Sequence, residues 1–181
     1  IGVNLVRLIL QYRRNVTGLT RAIPMVLRPG KAEEVAAIVE EANAHGIALY
    51  PISTGKNWGL GSKLPVVDGC VVLDLSRLNR IVEVNEPLRY AVLEPGVTQG
   101  QLAEYLAKHH PRLSFNLTGT FGETSIIGNT LERGDGGYAR IDDIIGLRGV
   151  LGNANPFEVG AHFGAGGPDP GHVLRYTAGT D

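Results

Sequence analysis

Residues 51–62, PISTGKNWGLGS, follow an apolar run from Ile47 to Ile52 and set Gly55, Gly59 and Gly61 in close succession. The segment then runs into Lys63-Leu64-Pro65. It cannot open a long helix there, because proline lacks an amide donor and restricts the residue before it. The chain must instead turn at the end of a strand. Glycines let consecutive peptide N–H groups face a common point, and Ser53, Thr54 and Ser62 add hydroxyl donors, so the loop reads as a concavity for an anion such as a pyrophosphate. From Ala42 to Val67 there is no Asp or Glu, whereas Lys56 and Lys63 supply positive charge. A bulky side chain at Gly55 is expected to intrude on the phosphate space. Taken alone, the same residues also read as a plain turn.

Two familiar nucleotide-binding patterns are excluded by spacing. The three glycines fall as G-x-x-x-G-x-G rather than the G-x-G-x-x-G that opens a Rossmann helix. A P-loop would need glycine where Tyr50 stands. The later run Gly164-Ala165-Gly166-Gly167-Pro168 matches neither pattern and reads as a flexible loop.

Composition narrows the function classes. The chain has 181 residues, enough for one domain or a tight pair of subdomains with a proper core. A net charge of −1 without any basic run excludes the electrostatic footprint of nucleic-acid binding. The apolar start from Leu5 to Leu10 is interrupted by Arg7 and falls far short of the ~20 residues of a membrane span. No targeting segment is legible, a soluble protein is expected, and the compartment stays open. The single cysteine, Cys70, sits in an apolar run and reads as a buried structural thiol. Of the five histidines, His45 ends a helix, His109 and His110 follow another, and His162 and His172 flank the late glycine run. They show no metal-ligand spacing, and the adjacent pair is expected to be solvent-exposed. Because the chain starts at Ile1 and ends at Asp181 in a loop-like stretch, a processed or truncated polypeptide is expected.

The pattern of elements is mixed. Lys31–His45 reads as a helix, with Val35, Ile38, Val39 and Ala42 as its apolar stripe, Glu33 and Glu34 at the positive end and Gly46 as the stop. Strands are expected over Ile47–Ile52, Val71–Asp74, Ile81–Val84 and Tyr90–Leu93, the last two joined as a hairpin through Asn85-Glu86-Pro87-Leu88. Thr98 opens a second helix. Gln101 stands where it would complete a capping box, and Leu102, Tyr105 and Leu106 give the core face.

A second chemically rich region is GTFGETSIIGNTLERGDGGYARIDD, residues 119–143. Its glycines, threonines, Ser125 and Asn129 offer small donors and close backbone approach to something planar or polyanionic. Glu132 and Arg133 lie at its centre. On sequence alone they read as partners in charge pairs more readily than as catalytic groups.

PISTGKNWGLGS, GVTQGQLAEYL at 96–106 and SIIGNTLERGDGGY at 125–138, in this order and spacing, resemble the FAD-binding (PCMH-type) domain of the vanillyl-alcohol oxidase and p-cresol methylhydroxylase family of FAD-linked oxidases. The similarity runs from about Arg28 to Asp181. The resemblance implies an α+β fold of two small subdomains that hold FAD between them. Residues 1–27 would form a leading segment, about 28–62 the first subdomain, and about 63–181 the second, truncated at its C-terminus. A substrate-binding cap domain, or a second chain, would follow. By the same resemblance Ile52, Ser53, Thr54, Gly55, Lys56, Asn57, Trp58 and Gly59 would hold the FAD pyrophosphate. Pro95, Gly96 and Val97, with Thr124, Ser125, Gly128, Asn129, Thr130 and Gly134, would line the rest of the cofactor.

The implied reaction is hydride transfer from a small-molecule substrate, an alcohol or aromatic alcohol, to flavin N5, with O₂ or an electron-carrier protein as final acceptor. Glu132 falls where the family's GNT-x-[DE]-RG pattern places an acid beside the flavin, and would act as a base or as a hydrogen-bond partner steering charge. Glutamate replaces the commoner aspartate and reaches one methylene further. Arg133 would fix that carboxylate or balance flavin charge. Leu60 stands where phenol-oxidising relatives carry tyrosine, so phenol specificity is not carried over. No histidine occupies the cradle, so covalent attachment of FAD through it is not expected. Two other readings stay open: a non-catalytic fragment or partner module that binds FAD weakly or only with a second chain, and a nicotinamide-dependent reductase on a similar domain.

Overall fold

Four consecutive residues, Val71–Asp74, are buried on both faces, and this strand forms the middle of the main sheet. In the computed structural model, residues 12–13, 17–56, 63–115, 121–131 and 143–160 are described. Within them run β1 (Val26–Leu27), α1 (Glu33–Ala44), β2 (Leu49–Ile52), β3 (Val71–Asp74), β4 (Ile81–Asn85), β5 (Tyr90–Leu93), α2 (Gln99–His109), α3 (Ile126–Leu131), β6 (Gly146–Val150) and β7 (Pro156–Gly160). The fold is α+β.

The three-stranded parallel sheet has the order β1-β3-β2, with Val26 opposite Val72 and Ile52 opposite Asp74. Parallel neighbours need long crossovers. The crossover from β1 to β2 is α1, and the one from β2 to β3 contains the glycine-rich loop. β3 therefore pairs in register with strands that lie before residue 62. The strand anticipated from Ile47 begins at Leu49, because Gly46 at φ +62 and the Ile47 amide, which donates to the Ala42 carbonyl at 2.8 Å, still belong to the end of α1. At the start of α1 no side chain caps from the N-cap position. The Glu34 carboxylate accepts instead from the Gly30 amide at 2.7 Å.

A second core forms where the antiparallel β4–β5 hairpin packs against α2. Val97, Leu102 and Leu106 are buried there, with Tyr105, Ile81, Val84 and Leu93 around them. Thr98 caps α2 by accepting from the Gln101 amide at 3.1 Å. The reciprocal arm of the anticipated capping box does not form. Gln101 Nε2 donates to the Asn79 carbonyl at 2.8 Å, tying the helix start to the turn before β4. Cys70 is buried, as its apolar neighbours indicate. The antiparallel β6–β7 hairpin was not anticipated from sequence, and Asn43 of α1 donates to the Gly152 carbonyl in its turn.

The exposure expected for both members of the histidine pair holds only for His109. His110 turns inward, its Nδ1 3.1 Å from Glu86 Oε2, while Arg112 Nη2 donates to Glu86 Oε1 at 2.6 Å. These partners join the β4–β5 turn to the end of α2. The hydrogen bond to His110, then that to Arg112, holds the Glu86 carboxyl below its ordinary range. A depressed carboxylate contributes stability that is present above its unfolded pKa and is lost as pH falls through the folded value. Glu86→Gln should therefore flatten the acid side of the melting-temperature profile below about pH 5. An unchanged profile would show that this cluster adds nothing measurable.

Candidate functional site

Three segments distant in sequence meet at Ser125, which begins the turn into α3. Its amide donates to Thr54 Oγ1 at 3.1 Å, its hydroxyl donates to the Pro95 carbonyl at 2.7 Å, and its Oγ accepts from the Gly128 amide at 3.1 Å. The loop after β2, the loop after β5 and the start of α3 are thus pinned at one residue. Backbone pairing extends the junction. Gln99 N donates to Thr124 O at 2.9 Å, Gly100 N to Gly122 O at 2.7 Å, and Ile126 N to Val97 O at 3.0 Å.

Small residues make this approach possible. A Cβ on Gly128 would lie 2.6 Å from Ser53 Oγ, so a side chain there would force the Ser53 hydroxyl to rotate away. Gly96 is confined by atoms that cannot rotate away, since a Cβ would meet the backbone carbonyls of Leu78, Ser76 and Leu75. The loop carrying Gly96 is held from outside by Glu94, which accepts from the Arg80 amide at 2.7 Å and from Arg80 Nε at 2.8 Å. Arg80 is mostly exposed and Glu94 nearly buried.

The charges differ from those expected around an acid-free loop. Lys56 Nζ pairs with Glu123 at 2.8 Å, a carboxylate that arrives from the turn before α3. The hydrogen bond from Lys56 holds the Glu123 carboxyl below its ordinary range. Both side chains are largely exposed, so the pair links the two rims with little stabilisation. Gly55 has φ +65, a conformation that favours glycine, and a Cβ there would meet the Lys63 side chain, with Cγ 2.4 Å away. The intrusion anticipated at Gly55 therefore falls first on Lys63.

The structure brings Ile52, Ser53, Thr54 and Gly55 together with Pro95, Gly96, Val97, Thr124, Ser125 and Gly128. Asn129 is buried in α3, and Thr130 Oγ1 donates back to the Ile126 carbonyl at 2.7 Å. Asn57, Trp58, Gly59, Leu60, Glu132, Arg133 and Gly134 lie outside the described residues. Sequence reasoning missed Asp74, although an acid closing a run of buried apolar strand residues was a legible signal. It also missed Glu94 and Glu123, whose partners are remote in sequence.

A pair of packed α+β units whose loops converge on small residues and hydroxyls defines a nucleotide-cofactor domain, and the chain belongs to the FAD binding domain family, whose model matches residues 23–160. The fold is the PCMH-type FAD-binding fold: p-cresol methylhydroxylase with substrate bound superposes with a TM-score of 0.79 at 28% identity, over 96% of this chain and 34% of that one. The 4-ethylphenol oxidase from Gulosibacter chungangensis gives 0.78 at 32% identity, over 93% of this chain and 33% of that one. By sequence the chain is 45% identical to the 1'-carboxy-chondrochloren decarboxylase of Chondromyces crocatus, over 78% of this chain and 27% of that protein. It is 34% identical to the 4-cresol dehydrogenase [hydroxylating] flavoprotein subunit of Pseudomonas putida, over 71% of this chain and 25% of that protein. The chain thus spans about a quarter of the length of these curated relatives.

The cofactor is FAD, and the residues present fit it. Thr124 is 4% exposed, and its Oγ1 is a buried polar atom without a hydrogen-bond partner among the described residues. Burying such a hydroxyl costs about 1–3 kcal/mol unless a partner arrives, and a cofactor heteroatom at the junction would be one. Among the described residues, no helix is long and apolar enough to cross a membrane.

Proposed function

We propose that this chain is the FAD-holding part of an oxidoreductase that removes hydride from an alcohol or aromatic-alcohol substrate. The observation that carries the cofactor half is the convergence of three loops on Ser125 beside the hydroxyl of Thr124, which has no partner among the described residues. Ile52–Lys56, continued by Asn57, Trp58 and Gly59, hold the pyrophosphate through backbone N–H groups and hydroxyls. Pro95–Val97 and the residues Thr124, Ser125, Gly128, Asn129, Thr130 and Gly134 seat the remainder. When bound, FAD supplies a two-electron acceptor at N5. Glu132 takes up the substrate proton or directs its charge, and Arg133 orients that carboxylate. A cap domain or second chain completes the substrate pocket, and O₂ or a carrier protein takes the electrons.

A second reading, loss of a carboxyl group from a carboxylated substrate, is favoured by the 45% identity to a decarboxylase. Release of CO₂ with such a substrate would separate it from plain alcohol oxidation.

The test of the cofactor site is the visible spectrum of the purified chain, before and after adding FAD and removing the excess. Flavin bands should travel with the protein, and acid precipitation should release them to the supernatant, since no histidine stands in the cradle. A colourless chain that ignores added FAD would reject the reading.

A further inference from the structure

Tyr12 lies ahead of the matched residues 23–160, yet it is 1% exposed and packs with Ile23, Ile52 and Val72 in the core beneath the β2 loop. Its hydroxyl donates to Asp74 Oδ2. Asp74 is itself 2% exposed and stands opposite Ile52, the residue immediately before Ser53. The other Asp74 oxygen accepts from the Ser76 amide at 2.9 Å, and Arg28 Nε lies 3.6 Å from Oδ2. Lys63 closes the contact from the far arm of the loop. Its Nζ sits 4.9 Å from the centroid of the Tyr12 ring, and its stem fills the space beside the Gly55 Cα.

The two arms of the loop are therefore held by one ring. Ile52 packs against Tyr12, while Lys63 lies over the ring and against Gly55, whose φ of +65 is a conformation open to change once the stem is gone. Burial, followed by the hydrogen bond to Asp74, raises the Tyr12 phenol above its ordinary range, and burial lowers the Lys63 ammonium, as an enclosed contact requires.

We propose that Tyr12 and Lys63 are positioning residues that set the backbone of Thr54 and Gly55 for the cofactor, making Tyr12, ahead of the matched residues, a working part of the FAD site. This rests on the loop being the seat of the FAD phosphates. Neither residue needs to touch the cofactor. Each acts through the loop, by removing conformations that cofactor binding would otherwise have to remove.

The loop has a reporter that works without cofactor. The Ser125 amide is bonded to Thr54 Oγ1, so its hydrogen exchange reads the loop's position, while the Leu102 amide, bonded to Thr98 O within α2, is the control. In Lys63→Ala the Ser125 amide should exchange about tenfold faster with Leu102 unchanged, and the FAD dissociation constant should rise about tenfold. Lys63→Met keeps the stem and should restore most of both, whereas Tyr12→Phe, which removes only the hydroxyl, should fall between Lys63→Ala and the unaltered chain. Unchanged Ser125 exchange in Lys63→Ala, equal acceleration at Leu102, or failure of Lys63→Met to rescue would overturn the proposal. An unaltered chain that takes up no FAD would reject the cofactor role while the exchange data still decide the positioning claim.

Discussion

Replacing Gly96 with alanine should cost roughly 3 kcal/mol or more, at or above the upper end of the usual overpacking range, and lower the melting temperature by about 6–12 °C. The added methyl would stand 2.7 Å from the carbonyl oxygens of both Leu78 and Ser76 and 2.9 Å from that of Leu75. All three are backbone atoms, so no side-chain rotation relieves the clash. The opposing turn cannot withdraw cheaply either. Leu78 N donates to Leu75 O at 3.0 Å, Leu75 N donates to Ile52 O at 2.8 Å, and Gly96 N itself donates to Leu78 O at 2.7 Å. Displacement would therefore propagate to the end of β2 and, through the Ser125–Pro95 bond, to α3. FAD retention should weaken together with stability. Thermal melts with and without FAD check this, and an alanine variant melting within about a degree of the original would show that the turn yields more easily than its bonding indicates.

Glu132→Gln should leave FAD uptake intact and slow flavin reduction by about 10²- to 10⁴-fold, the range typical of a lost general acid–base. The amide matches the carboxylate in shape and keeps one acceptor, but it cannot take a proton near neutral pH or carry the charge that Arg133 would balance. The check is anaerobic bleaching of the flavin band with a panel of primary and benzylic alcohols, alongside an FAD titration. Equal bleaching rates would remove Glu132 from the chemistry. Loss of FAD binding would instead assign it to the cofactor seat.

Much of the local architecture was legible along the chain because its causes are local. The apolar spacing of α1, the Gly46 stop, the Thr98 cap and the β4–β5 hairpin each depend on a few neighbouring residues, and each stands where the sequence put it. The turn at Gly55, directly after β2, was legible for the same reason. The β6–β7 hairpin was harder to see, since its strands carry Gly146, Gly149, Pro156 and Gly160 and lack clean alternation. Gln101 followed a local template only in part, because the Asn79 carbonyl, brought close by folding, was the better acceptor.

The candidate site divides along the same line. The resemblance carried by three motifs in order implied FAD as cofactor and named the three segments that meet, whereas the small residues and hydroxyls by themselves indicated only an anion-binding turn. Which atoms join those segments was decided by folding. Ser125 bonds to Thr54 and Pro95 across long stretches of chain, Glu123 reaches Lys56, and Thr124 is left buried with its hydroxyl unpartnered among the described residues. No periodicity encodes such pairs, since they arise only once the parallel sheet sets the end of β2 beside β3 and backbone pairing lays residues 122–126 along the start of α2. The burial of Tyr12 against Asp74 is the clearest case: a tyrosine near the start of the chain has nothing beside it in sequence to mark it, and its place beneath the loop after β2 follows from packing with Ile23, Ile52 and Val72 and from the Asp74 carboxylate that accepts its hydroxyl proton.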